Sequence, residues 1–215
     1  MKNRFDLIIF DWDGTLVDSI DWIVTSLSKA AEICDCKVPE EQAIKDIIGL
    51  SIEKSTDVLF PTISPETREQ LMACYSQEFF SKQISTDDLF VGVNGMLLEL
   101  KQKGFQLAVA TGKNKIELDK AMQGTGLCDF FNITRCADQT ASKPQPDMLN
   151  EIIEQTGIGK ERAVMVGDSV HDMKMAMNAG IASIAVLCGA NSHDQLQQFN
   201  PLLNLQQTTQ ILDIL

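Results

Sequence analysis

Two carboxylates one residue apart, Asp11 and Asp13, stand where the apolar run Leu7–Phe10 stops. Paired acids can divide the labour of a displacement, one attacking as nucleophile and the other moving protons. Asp13 lies two residues beyond Asp11, so its side chain points the same way while the chain stays extended. Gly14 then permits a turn that a residue with a Cβ resists. Other polar positions follow later apolar runs: Thr111 after residues 105–110, and Asp168 with Asp172 after 163–166. Lys143 lies in the loop 141–146 between two prolines. Each has a plainer reading alone: Thr111 as a helix cap, Asp168 as a turn, Asp172 as an acid in a first helical turn, Lys143 as a loop lysine.

A short run apolar at every position suits a strand buried on both faces, as in a parallel sheet under helices. Such sheets collect ligands at the carboxyl ends of their strands. The pattern predicts strands at 7–10, 105–110, 133–136, 163–166 and 181–187. They alternate with helices at 96–103, 114–124, 146–156 and 171–179, and two helices near 194–199 and 209–215 close the chain. Residues 18–88 break the alternation. They read as helices over 21–33, from Pro39 to about Gly49, 51–60 and 65–82, with no strand. The expectation is an α/β fold, a doubly wound parallel sheet built from 1–17 and 89–215. A small α-helical cap is inserted at 18–88, hinged near Asp18 and Asp87-Asp88.

The chain has 215 residues, enough for one substantial core and a small insertion. Its formal net charge of −12 argues against nucleic acid or an anionic membrane surface as partner. No apolar segment approaches a membrane span, and the N-terminus lacks a signal-peptide pattern. Six scattered cysteines, Cys34, Cys36, Cys74, Cys128, Cys136 and Cys188, make no zinc set and read as buried free thiols of a cytoplasmic protein. His171 and His193 read as solvent-facing, and the methionines at 165, 173, 175 and 177 as core packing. The acidic balance poses one difficulty: an anionic substrate would need a local cation or a metal.

Taken together, Asp11-x-Asp13-Gly14-Thr15, Thr111 at a strand end, the isolated Lys143 and Gly167-Asp168-Ser169-x-x-Asp172 resemble, in order and spacing, the four motifs of the haloacid dehalogenase-like hydrolases. The stretches 11–19 and 167–180 are most similar to the phosphoglycolate phosphatase-like branch with a helical cap. Two positions depart from the usual pattern: Gly112 where asparagine is commoner, and Trp12 where Phe or Leu is. The resemblance implies a phosphatase in which Asp11 forms an aspartyl phosphate. Asp13 acts as acid and then base, and Thr111, Gly112 and Lys143 hold the phosphoryl group. Three carboxylates and a dianionic ester against Lys143 alone predict a hard dication, Mg²⁺. By resemblance its ligands are Asp11, Asp168 and the main-chain carbonyl of Asp13, with Asp172 holding a bound water or Lys143.

The cap is expected to close over the site, with Gly49, Ser51 and Lys54 as its substrate-contacting residues. The substrate is a small phosphate monoester, phosphoglycolate-like or a sugar phosphate, and the protein a monomer or homodimer. Alternatives on the same fold are a sugar phosphomutase and a C–P bond hydrolase using Lys45 or Lys54 as a Schiff base. A binding protein on an enzyme fold is a further possibility.

Overall fold

The computed structural model describes residues 4–215. The elements run β1 Leu7–Phe10, α1 Ile20–Ile33, α2 Glu41–Lys45, α3 Ile52–Leu59, α4 Pro65–Phe79, α5 Val93–Gln102, β2 Gln106–Thr111 and α6 Lys115–Thr125. They continue with β3 Ile133–Cys136, α7 Asp147–Thr156, β4 Ala163–Gly167, α8 Val170–Ala179, β5 Ala182–Val186, α9 His193–Gln197 and β6 Leu203–Leu205. The sheet is parallel throughout, in the order β3-β2-β1-β4-β5-β6. The winding reverses between β1 and β4, and a parallel sheet opens a crevice at such a reversal.

The apolar run of β1 explains its central place. Leu7 and Ile9 pack on one face with Met148, Leu149 and Ile152 of α7 and Met175 and Ala176 of α8. Ile8 and Phe10 pack on the other with Val93, Met96, Leu97 and Leu100 of α5 and Leu118 of α6. All four β1 side chains are fully buried. Alternation at period two thus feeds both layers from one strand.

The cap has a core of its own. Ile20, Ile23, Leu27 and Ala31 of α1 meet Leu71 and Phe79 of α4, Phe60 and Ile44. Trp22 stacks on Phe79 with ring centroids 4.2 Å apart. The chain leaves and re-enters the sheet domain side by side: Asp18 N donates to Asp88 O at 2.9 Å, and Val17 pairs antiparallel with Leu89.

Several expectations need correction. The helix expected from Pro39 to Gly49 is only the five-residue α2, because Ile47 and Ile48 bond three residues back and tighten into turns. Helix α4 stops at Phe79 rather than Lys82. A sixth strand, β6, was not expected; three residues carry too little pattern to be read. The final segment, Thr208–Asp213, is 3₁₀ rather than α-helical. Of the six free cysteines only Cys136 is buried, and Cys128 is exposed. His171 is half-buried, its Nε2 2.9 Å from the Asp46 carbonyl of the cap.

Candidate active site

Four charged side chains converge where β1 and β4 end. Asp11 extends the ladder, its N–H donating to Val166 O at 2.9 Å, and is 1 % exposed. Lys143 enters from the loop after β3 and is 0 % exposed. Its Nζ lies 2.7 Å from Asp11 Oδ1 and 2.6 Å from Asp172 Oδ1. These contacts miss hydrogen-bond alignment, so the pairing is one of charge. The other oxygen of Asp172 is held by Ser169, whose Oγ donates to Oδ2 at 2.6 Å and whose N–H donates at 3.1 Å. Ser169 Oγ in turn accepts from the Asp172 N–H, so the capping box that starts α8 also aims Asp172 at Lys143.

Asp168 is gripped from both sides. Thr15 Oγ1 donates to its Oδ1 at 2.7 Å and the Ala190 N–H to its Oδ2 at 2.7 Å. Gly14, at φ 74°, lies against it; a Cβ there would stand 2.3 Å from Asp168 Oδ2. The sequence shows Thr15 only as the last residue of the first motif, with no role, and Ala190 not at all. Thr15 could have been given one, being in the same stretch as Asp11, whereas Ala190 contributes only its backbone.

The electrostatics follow from burial. Burial first, then Asp172, pushes the Asp11 carboxyl well above the usual range, and Lys143 pulls it back only in part. Burial and Asp172 likewise raise Asp168 to about 7, against the bonds from Ala190 and Thr15. Burial by itself lowers the Lys143 ammonium, but Asp11 and Asp172 outweigh it and hold it above its ordinary value. Oxygens of Asp11, Asp168 and Asp172 all lie within 4.8 Å of one another. Two like charges at ~4 Å repel by about 4 kcal/mol at an effective dielectric near 20. Three buried carboxylates facing one cation form an oxygen donor set that suits a hard dication.

Asp13 faces the cleft from the other side. Ser19 Oγ donates to its Oδ1 at 2.7 Å, and Lys113 Nζ lies 2.9 Å from its Oδ2. Lys113, two residues past Thr111, looks in the sequence like any loop lysine. Thr111 ends β2, 1 % exposed, and its Oγ1 accepts from the Lys113 N–H. Trp12, between the two aspartates, packs edge-on to Phe131 and only fills the core.

Gly112 is where cap and core touch. A Cβ on it would stand 2.4 Å from Leu50 O and 2.5 Å from Gly49 O. Its departure from the usual asparagine therefore has a local reason: no side chain fits under this cap segment. Gly49 reaches the cleft, but Ser51 and Lys54 turn toward the core. Ser51 N donates to Ser142 Oγ at 3.1 Å, while its own Oγ caps α3. Lys54 Nζ donates to the carbonyls of Ser142 and Lys143 at 3.1 and 3.4 Å. The cleft is lined instead by Ile23, Leu27, Ile48, Leu50 and Tyr75, together with Lys113 and Glu117, and its free volume is about 50 Å³.

Known proteins resemble this chain over nearly its whole length. The family model for haloacid dehalogenase-like hydrolases matches residues 8–186. The chain is 33 % identical to the "Probable phosphatase IndB" of Dickeya dadantii over 91 % of its length and 86 % of that protein's. It is 30 % identical to a phosphoglycolate phosphatase of Vibrio cholerae, over 91 % of this chain and 90 % of that one. A haloacid dehalogenase-like hydrolase structure from Bacteroides fragilis superposes with a TM-score of 0.87 at 24 % identity, covering 97 % of this chain and all of that one. The acids converging at the strand ends, the helical cap and these likenesses agree: the chain is an enzyme of the haloacid dehalogenase-like hydrolases, in their phosphoglycolate phosphatase-like branch.

Proposed function

We propose that the protein is a Mg²⁺-dependent phosphatase acting on a small, acyclic phosphate monoester through an aspartyl phosphate on Asp11. The observation that carries this reading is Lys143, wholly buried between Asp11 and Asp172 at 2.7 and 2.6 Å. A lysine so placed restrains and neutralises a nucleophilic carboxylate, and positioning with charge stabilisation is most of what phosphoryl transfer asks of a protein.

In this mechanism the ester phosphate sits between Asp11 and Thr111. Thr111 and the Gly112 N–H beside it take the phosphoryl oxygens; the Lys113 and Asn114 N–H groups are already given to Thr111 Oγ1 and Glu117 Oε2. Asp11 attacks phosphorus while Asp13 gives a proton to the leaving oxygen. Asp13, steadied by Ser19 and Lys113, then takes a proton from the water that releases phosphate. Asp11, Asp168 and the Asp13 carbonyl would hold Mg²⁺, with Asp172 keeping Lys143 in place. The metal supplies the positive charge that lets a dianionic ester approach three carboxylates. We assign residues 18–88 to the cap that closes over this site and excludes water.

The cleft volume favours a short leaving group. A cavity of about 150 Å³ holds one benzene ring, and this one has about 50 Å³. Any ester must displace the cap from this position, and a two- or three-carbon leaving group displaces it less than a hexose, which weighs against the phosphomutase reading. The experiment is phosphate release from a panel of short phosphomonoesters, with and without Mg²⁺, by wild type and Asp11→Asn. Wild type is expected to need Mg²⁺, and the variant to lose at least about a thousand-fold in kcat. A variant that still turns over at the wild-type rate defeats the proposal.

A further inference from the structure

We infer that Lys113 selects substrates whose leaving group ends in an anion. The inference rests on the phosphatase reading above, which puts the leaving group in the cleft beneath the cap. Lys113 is 8 % exposed, lies 2.9 Å from Asp13 Oδ2, and sits 4.3 Å from the centroid of the Phe79 ring on α4. An ammonium has three N–H donors, and Asp13 takes one. The aromatic face stabilises the charge without using up a donor in a strong bond. Donor capacity is therefore left for the cleft that Lys113 lines.

The surrounding residues make that charge discriminating. Ile23, Leu27, Ile47, Ile48 and Leu50 wall the cleft with hydrocarbon. A charge contact counts for more against such walls than in water. Tyr75 contributes a neutral phenol, since burial, Asp13 and Glu117 raise its pKa well above the ordinary value. Glu117 is committed elsewhere: its Oε2 accepts from the Asn114 N–H at 3.3 Å in the capping box of α6. Lys143 is occupied by Asp11 and Asp172. Among the described residues whose surface lines the cleft, Lys113 is the only cation; Lys143, buried in the floor, is not one of them. In a chain of net charge −12 it resolves the difficulty that acidity poses for an anionic tail. A carboxylate and a second phosphoryl group share the needed chemistry, compact oxygens that accept from an ammonium.

The test separates this inference from the reading beneath it. Phosphate release by wild type examines the phosphatase reading. Equilibrium binding to the Asp11→Asn protein with Mg²⁺ examines Lys113 without turnover. The ligands are 2-phosphoglycolate, ethyl phosphate of similar size without the carboxylate, and inorganic pyrophosphate. The expected result is a preference of about ten- to hundred-fold for an anionic-tailed ligand over ethyl phosphate, the range of a charged hydrogen bond. Pyrophosphate against 2-phosphoglycolate identifies which anion the cleft takes. Lys113→Met added to this background should bring the ratio close to one, and Lys113→Arg should restore part of it. Equal losses for all three ligands in Lys113→Met, or no preference before substitution, overturns the inference. Circular dichroism of each variant establishes that the fold is retained.

Discussion

The cleft has two unlike halves. Its floor, at the ends of β1 and β4, is made of charged side chains 0–1 % exposed: Lys143 between Asp11 and Asp172, and Asp168 held by Thr15 and the Ala190 N–H. Its roof is the cap, which shows the cleft mostly hydrocarbon and docks through a few polar contacts. Among them are Ser51 N to Ser142 Oγ, Lys54 to two carbonyls, His171 to the Asp46 carbonyl and Gln195 Nε2 to Asp46 Oδ1. Breaking a floor contact strands a charge in a dry site, whereas water replaces a roof contact at little cost. On the proposed mechanism, chemistry needs the first to be fixed and substrate entry needs the second to open.

Substitutions should sort accordingly. Lys143→Met leaves Asp11 and Asp172 facing each other unpaired. We expect kcat to fall at least about a hundred-fold and stability near pH 8 to drop by about 3–5 kcal/mol in urea titrations. Equal stability of variant and wild type at pH 8 would erase the contrast between floor and roof.

The floor should also carry a pH signature. An ordinary aspartate titrates near ~3.9, whereas Asp168 is raised to about 7. Between these values the folded protein holds a proton that the unfolded chain has released. Its contribution to stability is therefore complete below ~4, falls as pH rises, and is gone above about 7. A dication held there, as proposed, would displace that proton. The rise in melting temperature caused by Mg²⁺ should therefore grow from pH 5 to pH 8, which differential scanning fluorimetry at fixed Mg²⁺ measures. A shift larger at pH 5 than at pH 8 would contradict it.

Roof substitutions should act on activity more than on the fold. In Gly112→Ala the new Cβ would stand 2.4 Å from Leu50 O, so the cap cannot seat fully. We expect about a ten-fold loss in kcat/KM with the urea midpoint nearly unchanged. Lys54→Met removes two bonds to the loop carrying Lys143. A loss of only a few-fold in kcat, with melting temperature moved by less than about 3 °C, is expected. A severe unfolding defect in either variant would make the roof structural, as the floor is.

How far the sequence could be read follows the same division. Asp11, Asp168 and Asp172 were legible because strand ends of a parallel sheet must meet at one edge, whereas Lys143, in the middle of a loop, was picked out only by the resemblance to the family's motifs. Gly112 was legible as a departure, but its reason lies in Leu50 and Gly49, remote in sequence. Gly49 lines the cleft, whereas Ser51 and Lys54, expected beside it, bond to Ser142 and Lys143, contacts across about 90 positions that no local pattern encodes. Lys113 could not be told from a surface lysine until Phe79 and Asp13 closed around it.

The sequence by itself determined the alternation of elements, the buried central strand and the acids at its end, because hydrophobic period and local turn chemistry act between near neighbours. Only the tertiary structure decided which cation serves which carboxylate, how the cap seats on Gly112, and how little room is left beneath it. Those are distances between residues up to ~150 positions apart, such as Thr15 and Asp168. No pattern along the chain encodes them, since they arise from the packing of whole elements against one another.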